Sequence, residues 1–181
     1  MGRGIMYNIS KEKAMKKNTI LIVVLTILAA ACSNKSTGNF QIYMKDAPQN
    51  FEQILVTMTY IYVHHTGGAD IAVLRIPKVI DLIQLKGRQE FIVDQDLDAG
   101  KYTEIRLIIN AGSVVAGGVT YTCEVPSTEI KIPVQFDILK DQTTKIILDF
   151  DAENSIEIHP IGGGQNKYIL RPVINVDNIS Y

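Results

Sequence analysis

From residue 39 onward the apolar positions recur every second residue. Phe40, Ile42 and Met44 alternate with Gln41, Tyr43 and Lys45, the period of a strand with one buried face. Asp46-Ala47-Pro48 breaks that strand. Ile54, Val56 and Met58 then alternate with Leu55, Thr57 and Thr59, and the pattern continues through Tyr60 to Val63. Gly67-Gly68 marks a turn, and Ile71 to Ile76 reads as a short partner strand. Lys101 to Asn110 displays Tyr102 and then Ile105, Leu107 and Ile109. The cleanest alternation is Ile130, Ile132, Val134, Phe136 and Ile138, with Lys131, Gln135 and Asp137 on the other side. Lys145–Phe150 and Lys167–Val176 complete the set.

Strands at short intervals, separated by Gly, Pro, Asn and Asp, predict an all-β chain folded as an antiparallel β-sandwich of the immunoglobulin or prealbumin-like kind. At most one short helix is expected, a turn or two within Lys78–Leu85. No alternation of strands with helical segments supports a parallel α/β sheet. Pro133 lies inside a strong strand pattern. Proline donates no ladder hydrogen bond, so this position belongs to a sheet edge or a bulge.

The N-terminus follows a different pattern. Ile20 to Ala31 reads ILIVVLTILAAA, preceded by Lys16 and Lys17 and followed at once by Cys32. A basic start, a short apolar run and a small-residue end make a secretory signal. The run is too short for a membrane span, which needs about 20 apolar residues. Leu28-Ala29-Ala30-Ala31-Cys32 resembles a lipobox, in which the cysteine thiol is lipidated and the preceding peptide removed. Residues 1–31 are therefore assigned as leader and lipoprotein signal, with the natural start at Met15 and the segment before it a mis-assigned start or leader extension. Residues 32–38 read as a tether and 39–181 as the sandwich domain. Lipidation at Cys32 makes the membrane the first expected partner, and two acyl chains suffice for stable anchoring where one is marginal.

Residues 32–181 number 150, enough for one domain with a real core. They carry 13 Lys and Arg against 18 Asp and Glu, a net charge of −5. With no basic stripe, neither nucleic acid nor an anionic lipid surface is an expected partner. Once Cys32 is lipidated, Cys123 is the one remaining thiol, and an internal disulfide is excluded. Alternation along Val119–Val125 puts Cys123 on the apolar side with Val119 and Tyr121, where a cysteine acts as a small buried hydrophobe.

Candidate chemistry is sparse. Asp149, Asp151 and Glu153 would share one face if their strand continued, and hard cations favour clustered oxygens. Asp46 could join them only if the fold brought it near. The calcium-loop signature is missing, and a solvated strand face ending at Asn154 is the simpler reading. His64 and His65 point to opposite faces of a strand and His159 is remote, so no zinc ligand spacing results. No nucleophile elbow, His-Glu-x-x-His motif or phosphate-cradling loop is present. Gly162-Gly163-Gly164 lies between strands as a hairpin tip. No metal, cofactor or catalytic residue is expected. Tyr43, Tyr60, Tyr62, Tyr102, Tyr121, Tyr168 and Tyr181 could stack on sugar rings, but strand tyrosines more often pack a core edge.

Several stretches, in order, carry a family resemblance: Tyr43-Met44-Lys45-Asp46-Ala47-Pro48; Val56-Thr57-Met58; Asp81-Leu82-Ile83-Gln84-Leu85; Leu97 to Leu107, LDAGKYTEIRL; Leu148-Asp149-Phe150-Asp151-Ala152; and Arg171-Pro172-Val173-Ile174. Over about residues 39–177 the chain resembles the domain-of-unknown-function 4382 family of envelope lipoproteins. Asp98-Ala99 departs from the small residue and proline usual before the glycine. The resemblance implies a β-sandwich and an envelope address, with no activity and no functional residues to carry over. The expected function is a non-catalytic, lipid-anchored cell-envelope protein that binds an envelope protein or scaffolds an assembly. Such a protein sits at the outer membrane, on its periplasmic side or at the cell surface. The alternatives are a carbohydrate- or cation-binding module and, last, a small hydrolase.

Overall fold

The computed structural model describes residues 36–46 and 51–181. Cys32 and residues 1–31, where lipidation and a signal segment are expected, lie outside the described residues. Twelve strands are described: β1 (Thr37–Lys45), β2 (Gln53–His65), β3 (Asp70–Leu74), β4 (Lys78–Asp81), β5 (Glu90–Asp98), β6 (Gly100–Ala116), β7 (Val119–Glu124), β8 (Glu129–Ile138), β9 (Thr143–Phe150), β10 (Ile156–Gly162), β11 (Gln165–Leu170) and β12 (Ile174–Ser180). A 3₁₀ turn, Leu82–Leu85, follows β4, and one helical turn, α1 (Ala152–Ser155), follows β9. Among the described residues no helix is long and apolar enough to cross a membrane.

The strands form two sheets. The smaller has the order β12-β9-β1-β5. The larger has the order β10-β11-β7-β6-β2-β3, with β4 also on β2 and β8 also on β6. Strands β2 and β6 pair along their whole length, and each is flanked on its other side by two shorter strands set end to end. The all-β sandwich is as expected. Its pairing is antiparallel except at β1–β9 and β7–β11, which run parallel.

One continuous apolar core lies between the sheets. Phe40, Ile42 and Met44 of β1 point into it, opposite Ile54, Val56 and Met58 of β2. Phe136 joins the layers, its ring stacked 5.4 Å from Phe40 and 5.2 Å from Tyr102. Tyr102 is fully buried, and its hydroxyl donates to the Asp98 carbonyl at 2.9 Å, which satisfies the one polar atom it brings inside. On β2 the inward set slips from Met58 to Ile61 where the register shifts against β6, so Tyr60 and Tyr62 face outward.

Several local expectations are revised. Thr37 and Gly38, read as the end of a tether, begin β1. Lys167–Val176 is not one strand: Arg171-Pro172-Val173 carries the chain from β11 in one sheet to β12 in the other. Strand β5 escapes a period-two reading because Ile92 and Val93 are both buried, next to the register shift between Ile42 and Tyr43. Lys78–Leu85 supplies a strand and a 3₁₀ turn capped by Asp81, whose carboxylate accepts from the Ile83 N–H at 3.2 Å. Pro133 stands on β8, which pairs with β6 alone, opposite Glu104 beside a register shift, so both expected settings hold. The triple glycine turns the β10–β11 hairpin as expected.

Candidate interaction surface

The acidic stretch does not form one strand face. Strand β9 ends at Phe150, so Asp151 and Glu153 do not continue a strand face with Asp149. Asp151 caps α1, accepting from the backbone N–H of Asn154 at 3.0 Å and from its side-chain amide at 2.7 Å. Asp149 faces Lys45 at 3.9 Å, and that ammonium lies 2.8 Å from Asp177, whose hydrogen bond raises the Lys45 pKa. The fold does bring Asp46 near: its buried carboxylate accepts from the Ala152 N–H at 3.5 Å. Asp46 and the Leu-Asp-Phe-Asp-Ala stretch therefore meet at the α1 turn. Ser155, fully buried, completes it by donating to the Asp151 carbonyl at 2.5 Å and accepting from the Val173 N–H at 2.8 Å. Among the described residues no three His, Cys, Asp or Glu side chains converge as a metal site.

Cys123 is buried, and desolvation pushes its thiol pKa up to about 11, so it is protonated at neutral pH and unsuited to nucleophilic attack. The two adjacent histidines part company as a strand requires. His65 sets its ring edge-on to Tyr102, with centroids 5.0 Å apart, and Gly100 leaves room for it, since a Cβ there would come within 2.6 Å of His65 Nε2. His64 turns outward, its Nδ1 2.8 Å from Asp70 Oδ1. His159 pairs with Glu157 at 3.2 Å on β10.

The outer face of the larger sheet holds the richest constellation. Arg106 of β6 sits at its centre, between Tyr62 of β2 and Lys131 of β8 in the cross-strand register. Its guanidinium reaches Asp70 at 2.8 Å, Glu104 at 2.6 Å and Glu129 at 2.9 Å. The hydrogen bond with His64 is the main cause that holds the Asp70 carboxyl below its usual range; burial opposes it, and the charge of Arg106 adds to the lowering. Glu104, as hydrogen-bond acceptor, pushes Arg106 further up. Surface ion pairs contribute little stability singly. A network of this size instead fixes the direction of a planar cation and its acids.

Beside it, Tyr60 and Tyr62 stack with centroids 5.7 Å apart and planes at 19°. Tyr60 is 41% exposed and lies opposite Ile108. A cleft of about 300 Å³ adjoins the network, lined by Ser127, Glu129, Ile130, Lys131, Arg171 and Pro172. The tyrosines are visible in the sequence, but nothing in it groups Asp70, Glu104, Arg106 and Glu129. Asp70 and Arg106 are 36 residues apart, and only strand pairing unites them.

The other tyrosines serve elsewhere. Tyr102 is core, Tyr121 and Tyr168 pack together at 4.8 Å, and Tyr43 contacts Phe91 under the Lys145 ammonium.

Fold and surface together define a β-rich sandwich domain with an ordered, mixed aromatic and charged outer face. The family model for Domain of unknown function (DUF4382) matches residues 37–172, and the chain belongs to that family. No curated protein and no solved structure matches the chain.

Proposed function

We propose that this protein is a lipid-anchored module of the bacterial cell envelope that binds a protein partner through the outer face of its larger sheet and performs no catalysis. The lipobox at Cys32 supports the anchor. The observation that carries the binding role is the stack of exposed Tyr60 on half-buried Tyr62 beside the ordered Arg106 network. Tyr and Arg dominate binding hot spots because they bring large contact area or fixed hydrogen-bond geometry at low entropic cost. The reading without catalysis is supported by how the reactive groups are engaged: Asp151 caps a turn, Asp149 pairs with Lys45, and the Cys123 thiol is protonated.

Photo-crosslinking residues placed at Tyr60 and Tyr62 in living cells test the face, with the exposed Ile76 as control. Discrete adducts from the two tyrosine positions, lost in Arg106→Ala, are expected. Equal adducts at Ile76, or none anywhere, contradict the proposal. A carbohydrate-binding module is the second reading, favoured by the same tyrosines. Glycan-array binding abolished by Tyr60→Ala would replace the first reading with the second. A hydrolase screen showing turnover abolished by one acidic substitution would displace both.

A further inference from the structure

We infer that one end of the sandwich rests against zwitterionic lipid headgroups, with Tyr181, Leu139 and Lys140 at the interface, and that the β10–β11 hairpin points away from the membrane. This rests on the anchor reading of Cys32 and adds the domain's orientation to it. Four residue steps separate Cys32 from Ser36, and an extended chain spans at most about 3.6 Å per step, roughly 14 Å in all. The headgroup zone takes up about 5–8 Å of that on one side of a bilayer. Ser36 is itself fixed to the sandwich, because its carbonyl accepts from the Ala99 N–H at 2.7 Å. A lipidated Cys32 therefore leaves this end no room to stand clear of the headgroups.

The pairings state what else lies at that end. Strand β1 starts there beside the end of β5, with Thr37 opposite Asp98, and β9 starts there in parallel. Gly100 opposite Ile138 brings the start of β6, the end of β8 and the Leu139–Gln142 turn to the same end. The Thr66 N–H donates to the Lys101 carbonyl at 2.9 Å, which adds the β2–β3 turn. Tyr181 closes the set: its hydroxyl accepts from the Asp137 N–H at 3.4 Å while 58% of the residue stays exposed. Leu139 and Lys140 are exposed on the neighbouring turn. Tyrosine and lysine suit the membrane–water boundary, one with an amphipathic ring and the other with a long stem beneath its charge. Lys101 and Lys140 are outnumbered by Asp98, Asp137 and Asp141, so a zwitterionic surface fits and an anionic one is disfavoured.

The glycine tips at Gly117-Gly118 and Gly162–Gly164 lie at the opposite end, because β6 finishes there and β11 runs parallel to β7. Strand β6 has 17 residues, which at about 3.3 Å each separates the ends by on the order of 50 Å. Ile161, 61% exposed, flanks the far tip.

The chain contains no tryptophan, so single-tryptophan reporters test the orientation directly. The full lipidated protein would carry Tyr181→Trp, Leu139→Trp or Ile161→Trp in phosphatidylcholine vesicles brominated near the top of the acyl chains. Loss of emission with a blue shift is expected at 181 and 139, with emission at 161 unchanged. Quenching at 161 as strong as at 181, or none at 181 and 139, overturns the orientation. Co-flotation with the vesicles is read on the same samples. Protein that floats but is quenched at the wrong end refutes this inference alone, and protein that does not float refutes the anchor and the inference together.

Discussion

Gly38 distinguishes a strand from a tether at the entry to the domain. Its backbone is pressed against the turn between β8 and β9. A Cβ added there would lie 3.0 Å from both the Gln142 carbonyl oxygen and Ile138 Cγ2, and closer still to the Leu139 carbonyl oxygen. Backbone oxygens cannot rotate aside, so Gly38→Ala must displace either β1 or the turn. Two hydrogen bonds bracket the contact, Asn39 N–H to the Gln142 carbonyl at 2.9 Å and Asp141 N–H to the Thr37 carbonyl at 3.0 Å. Overpacking of this kind costs about 1–3 kcal/mol. Weakening the two hydrogen bonds adds about 1 kcal/mol. Removing glycine from the unfolded chain returns about 0.4–1 kcal/mol. The net expectation is a loss of about 1–3.5 kcal/mol, or roughly 2–14 °C in melting temperature for a domain of this size. Thermal melting followed by far-ultraviolet circular dichroism measures it, with Thr37→Ala as an exposed neighbour expected to change little. If residues up to 38 were tether, Gly38→Ala would be neutral or slightly stabilising. A melting temperature equal to or above wild type would refute the reasoning.

Other consequences follow from buried and paired groups. Ser155→Ala removes the hydroxyl that joins the Asp151 carbonyl to the Val173 N–H and should cost about 1–3 kcal/mol in urea unfolding, because two part-buried hydrogen bonds are lost at about 0.5–1.5 kcal/mol each. At alkaline pH, burial pushes Cys123 from 9.0 to about 11 and Tyr102 from 10.0 to about 12, so the fold favours both neutral forms. The stability this gives is whole below pH 9 and is lost as pH climbs through 12. Melting curves should show Cys123→Ala losing less stability than wild type between pH 9 and 11, and identical slopes would contradict the assignment. For Asp70 the sign is opposite: its depressed pKa gives stability that is present above the ordinary carboxylate range and lost as pH falls through the folded value. His64→Gln should move the Asp70 carboxyl resonance toward its ordinary titration midpoint in an NMR pH series.

What was legible in the sequence was whatever one strand decides alone. The alternation of Phe40, Ile42 and Met44 states which side is buried, and so does that of Ile130 to Ile138. Where two strands must agree, the signal fails. The β6 strand runs through Ala111-Gly112-Ser113, a stretch that reads as a breaker, and Gly112 is small because a Cβ there would meet Leu170 at 2.6 Å. Pro172 divides what looked like one strand because Leu170 and Ile174 belong to opposite sheets. The outer face shows the same limit. Tyr60 and Tyr62 are visible as a pair two residues apart, while Arg106, Asp70 and Glu129 become neighbours only through β2, β3, β6 and β8. The acidic stretch failed for the converse reason: the period-two assumption carried past Phe150, where Asp151 instead caps a turn.

The proposed anchoring of the domain through a lipidated Cys32 is open to direct measurement. Mass spectrometry of the N-terminal peptide from the membrane fraction should find a chain that begins at Cys32 and carries a diacylated thioether. In Cys32→Ala the folded domain should leave the membranes in a high-salt wash. A membrane-bound wild-type chain with an unmodified Cys32, or with residues of the apolar segment still attached ahead of it, would contradict the account.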